Sequence, residues 1–291
     1  MNNESKPLLR LTSSTLKIIA MIFMLIAHIS VIILMPMQEI YHTSLLRNII
    51  IIFNVLGRIS LPIFCFLIVE GIALTSNCFK YLLRLGISAI VLALIIFIVE
   101  IYYPGQFPIE GNIFLTLFLG AFFCGCFCYD KKHDFTGFVP LAIIILFILL
   151  SRLVPNFPVA LTPEYSSYGI FMIILMFFSK VIANNYATKT AARLQIETSE
   201  FMNTEDFQRL SNLFAIITIV VVNSIYWGIN LFIDNLIPID ISFQFYSILS
   251  GIFIYFYNGQ VGYHKPWFKY LCYLFYPLHI VLLYGLYLLF L

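Results

Sequence analysis

The sequence predicts an all-α polytopic membrane bundle, and three observations carry that prediction. Of 291 residues 62% are hydrophobic, only 10% are charged, and the apolar residues fall in long runs. Soluble domains carry roughly 25% charged residues, so a soluble enzyme, a nucleic-acid-binding protein and a disordered tail are excluded as classes. A bilayer core about 30 Å thick needs roughly 20 apolar residues per helix. The sequence offers nine such runs, at about 16–36, 48–76, 81–103, 110–129, 136–154, 166–187, 211–233, 240–258 and 268–290. The expected count is therefore about nine spans, or ten if one run is split, in a single domain over residues 1–291. The short alternating segments of a membrane β-barrel are absent from the pattern.

Each run has its own signature. The first lacks a small-residue cleavage site and is interrupted by His28, which marks a retained span rather than a signal peptide. The second is long, and Gly57 and Pro62 within it predict a kink or a broken helix. Turn signals separate the later runs at Pro104–Gly105, Asp130–Asp134, Pro155 to Pro163, and Pro238. The stretch 188–210 mixes Glu197, Glu200, Glu205 and Asp206 with Lys189, Arg193 and Arg209, and reads as a cytoplasmic connector or a short surface helix. Cys65, Cys78, Cys124, Cys126, Cys128 and Cys272 lie in or beside spans, which argues for reduced thiols. At i, i+2 and i+4 the middle of Cys124, Cys126 and Cys128 points away from the other two, so no metal site is expected there.

Orientation follows from the basic residues. With the N-terminus cytoplasmic, one side receives Lys6, Arg10, Lys17, Lys80, Arg84, Lys131, Lys132, Lys180, Lys189, Arg193, Arg209, Lys265 and Lys269. The other side receives Arg47 and Arg152, and Arg58 falls inside a span. The basic clusters Lys80–Tyr81–Arg84, Lys131–Lys132 and Lys265–Lys269 suit this topology and contact with anionic lipid. They also suit the landing of a phosphorylated cofactor whose long arm enters the bundle.

An ionisable group in hydrocarbon costs roughly 2.5–3.5 kcal/mol, so each one is a functional candidate. His28 lies eleven residues beyond Lys17, about 16 Å of helix. Arg58 lies eleven residues past Arg47 from the opposite side, and His279 ten residues past Lys269. These three reach one level near mid-depth, while Glu70 sits closer to the cytoplasmic end. Plain structural roles exist for all but Arg58: a carbonyl-bonded histidine at His28, a bridge to freed carbonyls after Pro277 at His279, and an ion pair of Glu70 with Arg84. Arg58 keeps its charge and has Asn54 one turn away, so it must face water, another helix or an anion.

The sequence at these positions resembles the TraX family. The resemblance rests on Leu16-Lys17-Ile18-Ile19-Ala20-Met21 through Met24-Leu25-Ile26-Ala27-His28-Ile29, and on Gly57-Arg58-Ile59-Ser60-Leu61-Pro62-Ile63-Phe64 with Glu70-Gly71. It continues through Thr75-Ser76-Asn77, Tyr81-Leu82-Leu83-Arg84-Leu85, Asn112 to Gly120, and Glu164-Tyr165 with Tyr168-Gly169. Tyr257-Asn258-Gly259 and Tyr273-Leu274-Phe275-Tyr276-Pro277-Leu278-His279 complete it. One departure stands out: the family's first helix usually has an Asp where this chain has Ala27.

The resemblance implies an integral inner-membrane acetyltransferase, the founding member acting on the N-terminus of a pilin. Acetyl-CoA from the cytosol would be the donor, and the acceptor an amine or hydroxyl on a peptide, glycan or small amphipathic molecule. No metal is implied. Arg84, Lys80 and Lys269 would contact the CoA phosphates, with Tyr81 and Asn258 beside them. His28 would act as general base or acetyl carrier, Arg58 would stabilise the oxyanion, and His279 would orient His28 or the acceptor. Glu70 would supply the carboxylate missing at Ala27 if its helix bends. The alternatives are a transporter or lipid flippase using the same mid-membrane cluster, or a non-catalytic assembly factor.

Overall fold

A computed structural model describes residues 11–103, 111–129, 138–232 and 241–290 of the chain. The turns expected at Pro104–Gly105, Asp130–Asp134 and Pro238, and the basic residues Lys6, Arg10, Lys131 and Lys132, lie outside those residues. The described chain is helical, with two isolated bridges, Leu11 to Tyr257 and Asn112 to Pro163, as its extended pairings. Among the described residues each of the nine apolar runs includes helix, and six segments are long and apolar enough to cross a membrane: Ser13–Tyr41, Ser44–Leu74, Cys78–Tyr102, Ser166–Leu194, Glu205–Phe232 and Pro266–Leu289. The apolar helices Ile113–Phe127, Val139–Ser151 and Phe245–Tyr255 are shorter than a full crossing. The described residues thus hold six helices of crossing length and three shorter apolar ones.

The first two long segments are broken, and proline accounts for both breaks. Helix α1 (Ser13–Ile29) starts on Thr12, whose side chain accepts from the Thr15 amide, and passes through a π-helical stretch, Ser30–Leu34, into α2 (Met35–Tyr41). Pro36 has no N–H for the Ile32 carbonyl, and the Met35 amide bonds back to the Ser30 carbonyl instead. Next, α3 (Ser44–Gly57) and α4 (Ser60–Leu74) are separated at Arg58 and Ile59. Pro62 cannot donate to the Arg58 carbonyl, and the amides of Arg58 and Ile59 bond three residues back, to Val55 and Leu56. The break predicted from Gly57 and Pro62 is therefore present, and it leaves Arg58 at the junction.

Helix α5 (Cys78–Tyr102) is capped by Asn77 and runs antiparallel to α6 (Ile113–Tyr129). Asn112 fixes where α6 begins: its side chain donates to the Ala89 carbonyl at 2.8 Å and accepts from the Leu115 amide at 3.0 Å. Because Ala89 is eleven residues into α5, α6 starts about 16 Å along it, part-way through the bundle. Helix α7 (Phe138–Leu153) is followed by a 3₁₀ turn, Val159–Leu161, and then α8 (Ser166–Leu194). The Cys65 thiol reaches the Gly169 carbonyl, so α8 begins close to the level of the α3–α4 junction. Its far half presents Ala183, Ala187 and Ala191, all fully buried, toward Phe207 of α10 (Glu205–Phe232). The connector read over 188–210 is consequently shorter, with α9 (Thr198–Met202) between the two long helices. The chain closes with α11 (Ile241–Gln244), a 3₁₀ segment Phe245–Leu249, α12 (Ser250–Tyr255) and α13 (Pro266–Phe290).

Between lipid-facing helices there is little hydrophobic driving force, so close packing and small residues hold the contacts. Outward positions such as Ile90, Leu94 and Phe97 on α5, and Leu274, Leu278 and Val281 on α13, remain exposed apolar surface. Helices α1 and α3 come close at Gly57 and Ala27: a Cβ added to Gly57 would stand 2.5 Å from the Ala27 Cβ. Gly57→Ala is expected to cost about 1–3 kcal/mol through overpacking. Gly228→Ala, with nothing within 4 Å of its added Cβ, serves as the neutral control. Thermal midpoints in detergent check this, and equal midpoints for the two variants would contradict the packing account.

Candidate active site

Gly57 and Ala27 immediately precede Arg58 and His28, so their contact brings the arginine and the histidine to one level. The level is also where the helices are irregular: α1 turns π-helical two residues after His28, α3 breaks at Arg58, and α13 carries Pro277. His279 joins them. Its Nε2 lies 3.2 Å from His28 Nδ1, with the ring centroids 4.9 Å apart.

The hydrogen bonds assign the tautomers. His28 Nδ1 lies 2.8 Å from the Met24 carbonyl and His279 Nδ1 lies 2.6 Å from the Phe275 carbonyl. A carbonyl only accepts, so both Nδ1 atoms carry hydrogen. His28 Nδ1–H is then shared between Met24 and the lone pair of His279 Nε2. The ring nitrogen left outside these bonds is His28 Nε2. Each histidine also has its plain role, since each bonds a carbonyl of its own helix, and the His279 ring stacks on Phe275 at 4.8 Å.

A carboxylate is linked to this pair through a tyrosine, from a residue quoted for the family resemblance but not as a site residue. Tyr276 sets its ring edge-on to both His28 and His279, with centroids 5.6 Å away in each case. Its hydroxyl donates to Glu164 Oε2 at 2.8 Å. Glu164 and Tyr165 sit just ahead of α8, tied by the Asn112–Pro163 bridge to the start of α6. Arg58 donates to Gln244 Oε1 at 3.4 Å and faces the Tyr165 hydroxyl. Asn54, the expected support, is replaced by these two partners from distant sequence. The signal for Glu164 was an acid directly after Pro163 in a chain with few charges, placed by a connection that folds back into the bundle.

Glu70 is elsewhere. Its carboxylate is buried and pairs with Lys180 Nζ at 2.7 Å, and Lys180 also donates to Ser211 at 3.2 Å. The Tyr257 hydroxyl faces Glu70 and bonds Ser13 at 3.0 Å. Ser13 is fifteen residues before His28, about 22 Å along α1, so Glu70 does not supply a carboxylate to the histidines. Its expected partner Arg84 is likewise corrected to Lys180.

A cavity of about 240 Å³ lies at the basic end of the bundle; neither His28 nor His279 lines it, but their neighbours Met24 and Tyr276 do. Lys17, His264, Lys265 and Lys269 line its mouth; Tyr81, Cys272 and Tyr273 line its wall; Met24, Phe114 and Tyr276 close its deep end. The mouth is shaped by residues 256–265, which pair with the start of α1 through Leu11 to Phe256, Asn258 to Leu11, Ser13 to Gln260 and Ser14 to Val261. Gly259 and Gly262 take φ of 74° and 72° there, and a side chain on Gly262 would collide with Thr12. Of the expected cofactor contacts, Tyr81 and Lys269 line the cavity. Arg84 stands behind the wall, 6.0 Å from the Tyr81 ring centre and facing Tyr273. Lys80 is an exposed first-turn residue of α5, and Asn258 holds the Gln260 amide; neither lines the cavity. Lys265, part of the cluster read as a landing site, also lines the cavity, as do Lys17 and His264, which were not singled out: Lys17 near a span end read first as an orientation marker.

No curated protein and no solved structure matches the chain. The family model described as "TraX protein" matches residues 12–287, which takes in both histidines, Arg58, Glu164 and every residue named on the cavity. The chain belongs to the TraX family.

Proposed function

We propose that this protein is a membrane-embedded acetyltransferase that draws acetyl-CoA from the cytoplasm and passes the acetyl group to an amine or hydroxyl. The observation that carries the reading is a histidine pair in contact with Met24 and Tyr276, two residues that line a cavity whose mouth is cationic. Lys269 has Arg84 and Lys17 as its electrostatic neighbours. Like charges gathered in this way repel, and an anionic pyrophosphate would relieve them. The apolar wall suits a pantetheine arm. By the distribution of basic residues this end faces the cytoplasm, with the N-terminus on the same side. The association of the family with pilin acetylation supports the same chemistry.

In this mechanism His28 Nε2 removes the proton from the acceptor N–H or O–H as the acceptor attacks the thioester carbonyl carbon. His279 holds the His28 ring through Nδ1, keeping Nε2 as the acceptor atom. Arg58 supplies positive charge at the level where the oxyanion forms. Collapse breaks the C–S bond, and the proton held by His28 passes to the departing thiolate.

The test uses Cys272, which lies one turn short of Tyr276 on the cavity wall. CoA is expected to block its alkylation by a maleimide in the purified protein, with Cys272→Ser defining background. Lys17→Glu and Lys269→Glu should each require about tenfold more CoA for the same protection, the equivalent of about 1.4 kcal/mol. Labelling of Cys272 at an unchanged rate in saturating CoA would remove the donor site from this cavity.

A further inference from the structure

We infer that Arg58 and Gln244 form a binding site for the anionic group, carboxylate or phosphate, of an amphipathic molecule that arrives from within the bilayer. A guanidinium inside a span keeps its charge and needs a counter-charge or water. Among the described residues the ion pairs are Lys180–Glu70 and Arg209–Glu205, so Arg58 pairs with no carboxylate there. Glu164, beside Tyr165 in the chain, gives its Oε2 to the Tyr276 hydroxyl. Arg58 has one long hydrogen bond, 3.4 Å to Gln244 Oε1, and the Tyr165 hydroxyl facing it. A guanidinium carries five N–H donors, so donors remain for a ligand as well as for the transfer reaction.

Gln244 supplies a further donor. Because its Oε1 accepts from Arg58, its Nε2 is the opposite end of the amide. The residue is 2% exposed, and Nε2 is buried without a hydrogen bond. The Tyr168 hydroxyl that it faces is already held by Asn223 at 3.1 Å and Ser247 at 3.3 Å. A buried donor left unpaired costs stability, and beside a thinly bonded arginine it is accounted for by a ligand oxygen. Asn223 Nδ2 also bonds Ser247 at 2.8 Å, which fastens the segment after Gln244 to α10, so the donors are fixed before a ligand arrives. Apolar surface flanks the site. Helix α3 packs against α11 and the Phe245–Leu249 segment, and Ile51 and Ile52 on the one and Phe245 on the other are exposed. An acyl chain can lie along that surface while its charged end reaches the α3–α4 break. An anionic end pairs Arg58, whereas a neutral or cationic one leaves it unpaired.

The site goes beyond the transferase reading, and its test contains no acetyl-CoA. Modification of Arg58 by phenylglyoxal is followed by peptide mass spectrometry on the full chain in a neutral maltoside detergent. Dodecyl phosphate is expected to slow it by about tenfold at roughly ten times its dissociation constant. Exposed Arg47 in the same sample should react at an unchanged rate. Dodecanol and inorganic phosphate should protect little, because each lacks one half of the ligand. Gln244→Leu should need about tenfold more dodecyl phosphate for equal protection, the worth of one hydrogen bond to a charged group. Gln244→Met serves in its place if the leucine variant does not accumulate. Arg58 that reacts equally fast in saturating dodecyl phosphate would overturn the site. So would Arg58 that never reacts, since a cleft that admits a charged head group admits the reagent. Equal protection by inorganic phosphate or by dodecanol would overturn the amphipathic anion as its ligand, and an unchanged requirement in the Gln244 variant would remove Gln244 from it. Protection of Cys272 by CoA is a separate measurement, so failure here is distinguishable from failure of the transferase reading.

Discussion

His28→Ala is expected to lower acetyl transfer by about 10²–10⁴-fold, the usual worth of a positioned general base. The expectation rests on one atom. Of the four ring nitrogens in the histidine pair, three are engaged, two on the Met24 and Phe275 carbonyls and one between the rings. His28 Nε2 alone keeps a lone pair that can receive the acceptor's proton. His279→Ala removes the partner that holds His28 but not the base, so its loss should be smaller. Because the two act as one unit, the double variant should fall no further than His28→Ala. The rate of CoA release checks all three proteins. Full activity in His28→Ala would end the catalytic assignment, and independent, multiplying losses would end the pairing.

Removing either partner of the Glu70–Lys180 pair should be the most destabilising single change away from the histidines. Their side chains are 5% and 16% exposed. Leaving one such charge buried without its partner costs about 3–5 kcal/mol. The pair joins α4 to α8 and, through Ser211 and Tyr257, also touches α10 and the segment that shapes the cavity mouth. Glu70→Gln and Lys180→Met are therefore expected to lower the thermal midpoint in detergent sharply. The reversed pair, Glu70→Lys with Lys180→Glu, should recover part of the loss. Midpoints equal to wild type in both single variants would contradict the assignment of Glu70 to structure.

The helical architecture was legible because apolar run length is a direct consequence of bilayer thickness. What run length omits is where a helix begins. The run at 110–129 looks like a full crossing, yet Asn112 caps α6 against Ala89, well inside α5. Depth was legible for His28, Arg58 and His279, since a fixed rise per residue from a basic rim locates a side chain along the helix axis. Azimuth was not. Glu70 and Lys180 are 110 positions apart, and only the packing of α4 on α8 puts them face to face. Glu164 escaped for a related reason: it lies in a turn by composition, and the fold carries that turn back to the histidines. Pro36, which breaks the first segment, was a readable signal that an unbroken apolar run obscured.

The most direct measurement is transfer of labelled acetyl from acetyl-CoA, supplied to the cytoplasmic face of inverted membrane vesicles that provide their own acceptors. Vesicles containing the protein should accumulate label in material other than CoA, while vesicles lacking it, or carrying His28→Ala, stay at background. Equal labelling in all three would contradict the account.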